Sequence, residues 1–221
     1  WLLDKLGIQR GISKLEDFGI SIGEADENLG AIALGGMSKG VTPVQLASAY
    51  TTFVNEGVRT QARFITKIVD ATGAVIVDNT KPKTNRVTTA AVAEEMTSML
   101  MGVYADGGTG ASAQPSNGMV IAGKTGTTEL DRETGYIKSQ WMVGYTPDLV
   151  VATWLGYDET NEAHNLNNAG KTMANLYSAE MGALLSISPQ TEFAVAAAEE
   201  TYDAGIMNGL KNGLDEFMNE M

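Results

Sequence analysis

The stretch MVIAGKTGTTELDRETGYIKSQWMVGYTPDLVVATWLGYD, residues 119–158, decides the fold of this 221-residue chain. Three apolar runs, at 119–122, 140–145 and 149–157, have the β-branched and aromatic content that is typical of strands. A polar segment separates the first two runs, and the turn Thr146-Pro147-Asp148 separates the second from the third. Because strands joined by short turns pair antiparallel, this order predicts a meander in the middle of a sheet.

The first run is followed by the unusual sequence Gly123-Lys124-Thr125-Gly126-Thr127. Glycine in a strand often marks a place where a ligand or another backbone approaches closely, so Gly126 would let a ligand lie against the strand edge. If the pleat is regular, Thr125 and Thr127 project to the face opposite Lys124 and Gly126. Lys-Thr-Gly is also one of three signature elements of serine penicillin-recognising enzymes, together with Ser-x-x-Lys and Ser-Asp-Asn.

The wider sequence resembles the transpeptidase domain of class A, bifunctional penicillin-binding proteins. The resemblance rests on residues 120–158, on ALGGMSKGVTPVQLASAYTTFVNEG at 33–57 and on GGTGA at 107–111, and it extends over about residues 1–187. It implies a mixed α/β fold in which an antiparallel sheet is flanked by helices, the fold that these domains share with serine β-lactamases.

The function that the resemblance implies is peptidoglycan D,D-transpeptidation through a serine acyl-enzyme, the reaction that β-lactams block. In that family the catalytic pair corresponds here to Lys124, which supplies positive potential, and Thr127, whose backbone N–H completes the oxyanion hole. The substrate-binding set corresponds to Thr125, Gly126, Thr127 and Thr128, with the Thr125 and Thr127 hydroxyls holding the substrate carboxylate. The implied partners are stem peptides and β-lactams, and neither a cofactor nor a metal is implied.

The serine nucleophile of that family is missing from this sequence. No serine has a lysine three residues later, and none has an asparagine two residues later. In the family both motifs precede the matched region. We therefore expect residues 1–187 to be the C-terminal portion of a transpeptidase domain, inactive alone, with the missing N-terminal part as its partner. Residues 188–221 are expected to be an acidic extension with apolar residues at helical intervals.

Three alternatives to a transpeptidase are open at this point. A D,D-carboxypeptidase or a β-lactamase on the same fold would differ in how water reaches the acyl-enzyme. A non-catalytic peptidoglycan-binding or scaffold module is consistent with the missing nucleophile. A nucleotide-binding P-loop is excluded, because Lys124 lies at a strand end instead of at a helix start and the required glycine spacing is absent.

Composition excludes several other classes of function. A net charge of −12 disfavours binding to nucleic acid or an anionic membrane through a basic face. The chain has no cysteine, and its one histidine, His164, lies in a polar stretch that predicts a solvated loop. No apolar run reaches the roughly 18 residues of a membrane span. The resemblance implies an extracytoplasmic location, with the parent protein anchored in the cell membrane by an upstream segment.

Local signals outside the meander predict the remaining elements. Helices are expected at 1–7, 11–19, 43–57 and 171–186, and another is expected to run from an N-cap at Thr88 or Thr89 to Met101. The helix at 171–186 would cover one face of the sheet. Runs 64–70 and 74–78 predict a small hairpin outside the main sheet. Residues 21–29 are expected to be a solvated acidic turn and 81–86 a connector. The polar segment 128–139 is expected to line the cleft, with Glu129, Asp131, Arg132 and Tyr136 shaping acceptor binding.

Overall fold

The computed structural model describes residues 1–129, 135–166 and 169–195. Its helices are α1 (Leu2–Leu6), α2 (Ile8–Asp17), α3 (Leu29–Leu34), α4 (Pro43–Val54), α5 (Ala90–Met101) and α6 (Ala169–Leu185). Its strands are β1 (Val58–Thr60), β2 (Lys67–Val69), β3 (Val75–Asp78), β4 (Thr84–Arg86), β5 (Ala122–Glu129), β6 (Ile137–Tyr145) and β7 (Val150–Gly156). The result is a mixed α/β arrangement, as expected.

The strands form one main sheet and two small ribbons. The main sheet has the order β5-β6-β7 and is antiparallel throughout, which confirms the predicted meander. Strands β2 and β3 form the predicted hairpin outside that sheet. Strands β1 and β4 form a ribbon that the sequence did not predict, and residues 81–86 are therefore not merely a connector. Each of these strands has only three residues, too few to show a period of two.

Threonine caps determine where two long helices begin. Thr42 Oγ1 accepts a hydrogen bond from Gln45 N at 3.2 Å, and Gln45 Oε1 accepts one from Thr42 N at 2.9 Å, so α4 begins with a complete capping box. At α5, Thr89 rather than Thr88 is the cap, and its Oγ1 accepts from Val92 N at 3.3 Å. The predicted helices 43–57 and 89–101 are confirmed, although α4 ends at Val54, three residues early.

The first two helices are also present, but α2 begins at Ile8 instead of residue 11. They meet at Gly7, whose positive φ of 88° turns the chain between them. Helix α3 was not predicted, because six residues are too few to establish a helical period.

The acidic turn at 21–29 is not wholly solvated, contrary to expectation. Asp26 is only 4% exposed, and its carboxylate accepts hydrogen bonds from Ser38 N and Ser38 Oγ, both at 2.8 Å. These hydrogen bonds hold the pKa of Asp26 below its usual value of 3.8. The carboxylate thus fastens the loop at residue 38 to the turn, a long-range contact that local sequence does not reveal.

Both faces of the main sheet are covered by helices over part of their area. Helix α6 buries Met173, Tyr177, Met181 and Leu185 against a core that includes Met142 of β6, which confirms the predicted sheet-covering helix. The opposite face carries Tyr145, which packs with aromatic side chains of α4, while α5 lies beside β5. The main sheet is therefore the centre of the described structure.

The chain beyond α6 returns to this second face. Thr191 donates from both its backbone N and its Oγ1 to the carboxylate of Asp148, each at 3.0 Å, and the Phe193 ring meets Tyr145 edge-on at 5.8 Å. The helical spacing predicted from Ile206 to Phe217 lies outside the described residues. Within the described part of the chain, no helix is long and apolar enough to cross a membrane.

Candidate active site

The Lys-Thr-Gly-Thr sequence lies inside strand β5, whereas the sequence had placed it at the end of the first strand. β5 begins at Ala122 and continues through the motif to Glu129. Lys124 pairs with Val143, Thr125 with Met142, Gly126 with Trp141 and Thr127 with Gln140. The predicted first strand at 119–122 was placed too early, because two glycines and three threonines gave the motif the composition of a loop.

Strand β5 forms one edge of the main sheet, and no described strand pairs with its outer side. An edge strand presents alternate backbone N–H and C=O groups outward, where an extended peptide can add as a further strand. The residues predicted to bind substrate, Thr125 to Thr128, therefore share one free edge. A register shift between Thr128 and Glu129 ends the regular pairing immediately after them.

The pleat of β5 divides the motif between the two faces of the sheet, as predicted. Lys124 and Gly126 lie on the face of their partners Val143 and Trp141, whereas Thr125 and Thr127 lie on the face that α6 covers. The Lys124 side chain is exposed, and its Nζ donates to the carbonyl of Thr125 at 2.9 Å. The amine is therefore held against the strand at the motif.

Two glycines allow the backbones of β5 and its surroundings to come close together. A Cβ at Gly126 would lie 3.3 Å from Trp141 Cβ, tighter than ordinary packing. A Cβ at Gly123 would lie 1.9 Å from the carbonyl oxygen of Val143, a distance that excludes any side chain there. Both positions fit the expectation that glycine in this strand allows neighbouring atoms to approach the backbone closely.

Thr109 is a site neighbour that the sequence did not identify. Its Oγ1 lies 2.9 Å from Oγ1 of Thr125, so a loop hydroxyl meets a motif hydroxyl. The loop that carries it is tightly folded, since a Cβ at Gly108 would lie 2.3 Å from the carbonyl oxygen of Val103. The glycine-rich run 107–110 was visible in the sequence, but its position beside β5 depends on the tertiary fold.

Two cavities border the motif, one on each face of the sheet. The tryptophan cleft, of about 410 Å³, lies on the Lys124 face and is lined by residues 35–43, Thr128, Lys138, Ser139, Trp141, Trp154, Tyr157 and Asp158. The Gln140 cavity, of about 290 Å³, lies on the α6 face and is lined by Thr109, Ser112, residues 125–127, Gln140, Trp141, Met142, Gly170, Met173 and Ala174. The motif can thus be reached from both sides.

The loop between β5 and β6 is shorter than expected. Strand β5 extends to Glu129 and β6 begins at Ile137, so the predicted polar segment 128–139 consists partly of paired strand. Asp131 and Arg132, which were expected to shape acceptor binding, lie outside the described residues. Glu129 and Tyr136 are at the two strand ends that border the loop.

Four tyrosines that pack around the sheet, Tyr50, Tyr104, Tyr145 and Tyr177, are not suited to act as bases at neutral pH. Burial raises the pKa of Tyr50 to about 12 and that of Tyr145 to about 12, and it raises the pKa of Tyr104 and Tyr177 further. Tyr104 instead donates to the carbonyl of Val143 at 2.9 Å. These side chains stay neutral and support the sheet.

His164 is exposed, as predicted, and its ring stacks on Tyr157 with centroids 5.4 Å apart. Among the described residues, no group of three or more His, Cys, Asp or Glu side chains is placed to hold a metal ion. Strand β5 itself offers the Lys124 amine, the hydroxyls of Thr125, Thr127 and Thr128, and an outward-facing backbone.

Comparison with known proteins identifies the family of this chain. The model of the penicillin-binding protein transpeptidase domain matches residues 4–181. The chain belongs to this family. Penicillin-binding protein 2a of Streptococcus pneumoniae is 39% identical over 199 residues, which is 89% of this chain and 26% of the relative. Penicillin-binding protein 1F of Bacillus subtilis is 38% identical over 177 residues, 80% of this chain and 24% of the relative.

Solved structures of penicillin-binding proteins share the fold. The PonA1 protein of Mycobacterium tuberculosis in complex with penicillin V aligns with a TM-score of 0.60 at 28% identity. The alignment covers 78% of this chain and 45% of PonA1. The chain thus spans about a quarter of the length of these curated relatives and under half of the solved PonA1 chain. The family and the fold expected from the sequence are confirmed.

Proposed function

We propose that this chain is the part of a peptidoglycan D,D-transpeptidase that carries the substrate-binding edge strand. The observation that carries the proposal is the position of the Lys-Thr-Gly-Thr motif on the free edge of β5, in a chain of the penicillin-binding protein transpeptidase family. The complete enzyme acylates a serine with a stem peptide, releases the terminal D-alanine and transfers the acyl group to an amine. β-Lactams take the place of the acyl donor, in keeping with the penicillin V complex of PonA1.

The motif residues have distinct roles in this proposal. The stem peptide adds along the edge of β5, and the backbone N–H of Thr127 donates to the oxyanion that forms when the serine attacks the peptide carbonyl. The Thr125 and Thr127 hydroxyls bind the substrate carboxylate, and Thr128 extends this binding edge. Gly126 lets the substrate approach the strand closely. Lys124 supplies positive charge beside the serine that provides the nucleophile.

The nucleophile comes from a segment that precedes this sequence in the parent protein. The chain has no Ser-x-x-Lys and no Ser-x-Asn motif, and its relatives are about four times as long as the aligned region. The tryptophan cleft lies on the Lys124 face, where such a segment would bring a serine close to the amine. We call the chain together with this upstream segment the complete domain. Residues 1–187 form its C-terminal portion and 188–221 its extension.

The same proposal gives the location of the parent protein. Because peptidoglycan lies outside the cytoplasmic membrane, the complete domain acts in the extracytoplasmic space, and an anchor upstream of this chain holds it at the membrane. The substrates are stem peptides, and no cofactor takes part.

A single labelling experiment tests the proposal. The full-length parent protein is treated with fluorescent penicillin, digested and mapped by mass spectrometry. We expect a covalent penicilloyl group on a serine of the upstream segment, and we expect Lys124→Ala to lower the labelling rate at least about tenfold. Labelling that is absent, or unaffected by Lys124→Ala, would refute the proposed role of the motif.

The transpeptidase is favoured over a hydrolase because the match extends beyond the motif. The whole region 4–181 fits the transpeptidase domain, and the named relatives at 39% and 38% identity are penicillin-binding proteins. Product analysis separates the two outcomes: a transpeptidase joins a donor peptide to an added amine, whereas a carboxypeptidase or β-lactamase yields only the hydrolysed product.

A further inference from the structure

The hydroxyl of Thr109 contacts the candidate site from outside strand β5. Its Oγ1 lies 2.9 Å from Oγ1 of Thr125, one of the two hydroxyls that the proposed function assigns to the substrate carboxylate. Thr109, Thr125 and Thr127 all line the Gln140 cavity, so the loop hydroxyl opens onto the same space as the two motif hydroxyls. The part of the site that binds the carboxylate therefore extends beyond the Lys-Thr-Gly-Thr motif.

The loop that carries Thr109 is anchored on both sides of this residue. Before it in the chain, the buried Tyr104 donates its hydroxyl proton to the carbonyl of Val143 on β6 at 2.9 Å. After it, Ser178 on α6 donates to the carbonyl of Gln114 at 3.1 Å. Because the loop is held before a substrate arrives, its hydroxyl loses little conformational entropy when binding occurs.

Hydrogen-bond polarity determines what the contact between the two threonines does when a carboxylate binds. A hydroxyl has one proton to donate and two lone pairs that accept, whereas an ionised carboxylate only accepts. When Thr125 donates its proton to the carboxylate, its oxygen is left to accept, and the Thr109 hydroxyl at 2.9 Å can donate to it. The two hydroxyls then form a chain directed at the carboxylate, in which each hydrogen bond strengthens the other.

The surroundings increase the importance of these hydroxyl protons. None of the described residues that line the Gln140 cavity is charged, and the Lys124 side chain lies on the opposite face of the sheet. On the α6 face, hydroxyl donors therefore supply the hydrogen bonds to the carboxylate. Hydrogen bonds to an ionised acceptor are about twice as strong as those between neutral groups, so the direction of each proton has a measurable effect.

We propose that Thr109 is a positioning residue for substrate recognition. Its hydroxyl donates to Thr125 Oγ1 and so directs the Thr125 proton at the terminal carboxylate of the acyl donor. This inference rests on the proposed transpeptidase function, and it adds a loop residue to the part of the site that distinguishes a carboxylate from an uncharged terminus.

The test uses the full-length parent protein and two thioester donor peptides, one ending in a carboxylate and the other in a carboxamide. The ratio of their kcat/KM values is the carboxylate preference. Thr109→Val keeps the shape of the side chain without the hydroxyl, and we expect it to lower this preference about three- to tenfold. The loss should fall on the carboxylate donor alone, because a merely distorted loop would slow both donors. Thr109→Ser keeps a hydroxyl and should keep the preference.

Two further variants separate the positioning role from an effect on the loop. If Thr109 acts through Thr125, adding Thr109→Val to Thr125→Val should lower the preference less than twofold further. Ser178→Ala is the matched control, because it removes a hydroxyl that anchors the same loop without touching a motif hydroxyl. It should keep the preference of the wild type. Thr109 is exposed, so its substitutions should leave the thermal unfolding temperature close to that of the wild type.

Three results would overturn the inference while acylation of the parent protein stands. The first is a penicillin-labelled wild type without a carboxylate preference, which would also remove the proposed carboxylate role of Thr125. The second is a preference that Thr109→Val leaves unchanged. The third is a full, independent loss when Thr109→Val is added to Thr125→Val. A wild-type protein that fluorescent penicillin does not label would instead overturn the proposed function, and this inference with it.

Discussion

At the scale of single residues, the proposed role of Thr127 depends on its backbone rather than on its side chain. Replacing Thr127 with proline removes the N–H, and an edge strand tolerates proline where the N–H points outward. We expect Thr127→Pro to lower the rate of penicillin acylation by about 100- to 1000-fold, the effect of losing one oxyanion donor. The rate is measured with fluorescent penicillin on the full-length protein.

Thr127→Ala provides the control, since it keeps the N–H and removes only the hydroxyl. We expect it to weaken carboxylate binding and to lower acylation by about tenfold at most. Equal losses in Thr127→Ala and Thr127→Pro, with both proteins folded, would assign the effect to the hydroxyl and contradict the backbone role.

Asp26 gives a prediction for the dependence of stability on pH. Its pKa is lowered in the folded protein because Ser38 N and Ser38 Oγ donate to its carboxylate. A lowered folded pKa means that this stabilisation is present above the unfolded value of 3.8 and is lost as pH falls through the lower, folded value. Asp26→Asn should therefore be less stable than the wild type at pH 7, and this difference should shrink below about pH 4.

Thermal unfolding of both proteins between pH 7 and pH 3 measures that difference. The carboxylate role is contradicted if the two melting temperatures stay equally far apart throughout the range. If the wild type instead gained stability relative to Asp26→Asn as the pH falls, the pH dependence would have the opposite sign to the one expected, and the carboxylate role would be contradicted more strongly.

At the scale of elements, the contact between β6 and α6 leaves no room for an extra methyl group. A Cβ at Gly144 would lie 2.1 Å from the Tyr177 hydroxyl oxygen, and Tyr177 is fully buried. Gly144→Ala should lower the free energy of unfolding by about 1–3 kcal/mol, because the helix must shift away from the sheet. Thermal or urea unfolding measures the change.

Gly182 provides a matched control on the same helix. Nothing lies within 4 Å of a Cβ placed there, so alanine adds helix propensity without a clash. Gly182→Ala should stabilise the protein by up to about 1 kcal/mol, the opposite sign to Gly144→Ala. If both substitutions changed stability in the same direction, close packing of α6 on β6 would not be the cause.

The elements also show what local sequence can and cannot predict. Helices α4 and α5 were predictable because a threonine cap and an apolar period lie within one segment. Strands β1 and β4 were not, since each has three residues and their pairing joins Val58 to Arg86 across the chain. The order of the three main strands followed from their spacing, whereas the start of β5 was placed too early.

The residues of the candidate site were also only partly predictable from the sequence. Lys124 to Thr128 were identifiable because their chemistry is contiguous in sequence. The contact of Thr109 with the motif was not, because Thr109 reaches Thr125 only through the fold of the loop before β5. The sequence analysis predicted that Asp26 is solvated, because its hydrogen-bond partner Ser38 is 12 residues away and local sequence does not reveal such a contact.

At the scale of the whole molecule, the described structure leaves apolar surface around the tryptophan cleft. Trp154 is 39% exposed and Tyr157 is 42% exposed, and both line this cleft beside Trp141. The outer edge of β7 has no pairing strand among the described residues. An unpaired strand edge next to exposed aromatic surface promotes association between copies of a chain.

We therefore expect residues 1–221 to self-associate when they are expressed alone. Co-expression with the upstream segment should give a one-to-one complex, because we expect that segment to cover the tryptophan cleft and the β7 edge in the complete domain. Sedimentation velocity measures both states, and fluorescent penicillin should label only the upstream polypeptide of the complex. Trp154→Lys should reduce self-association and also weaken the complex, since the same surface serves both contacts. A chain that is monomeric and unfolds cooperatively by itself would contradict this prediction and would favour an independently folded scaffold module instead.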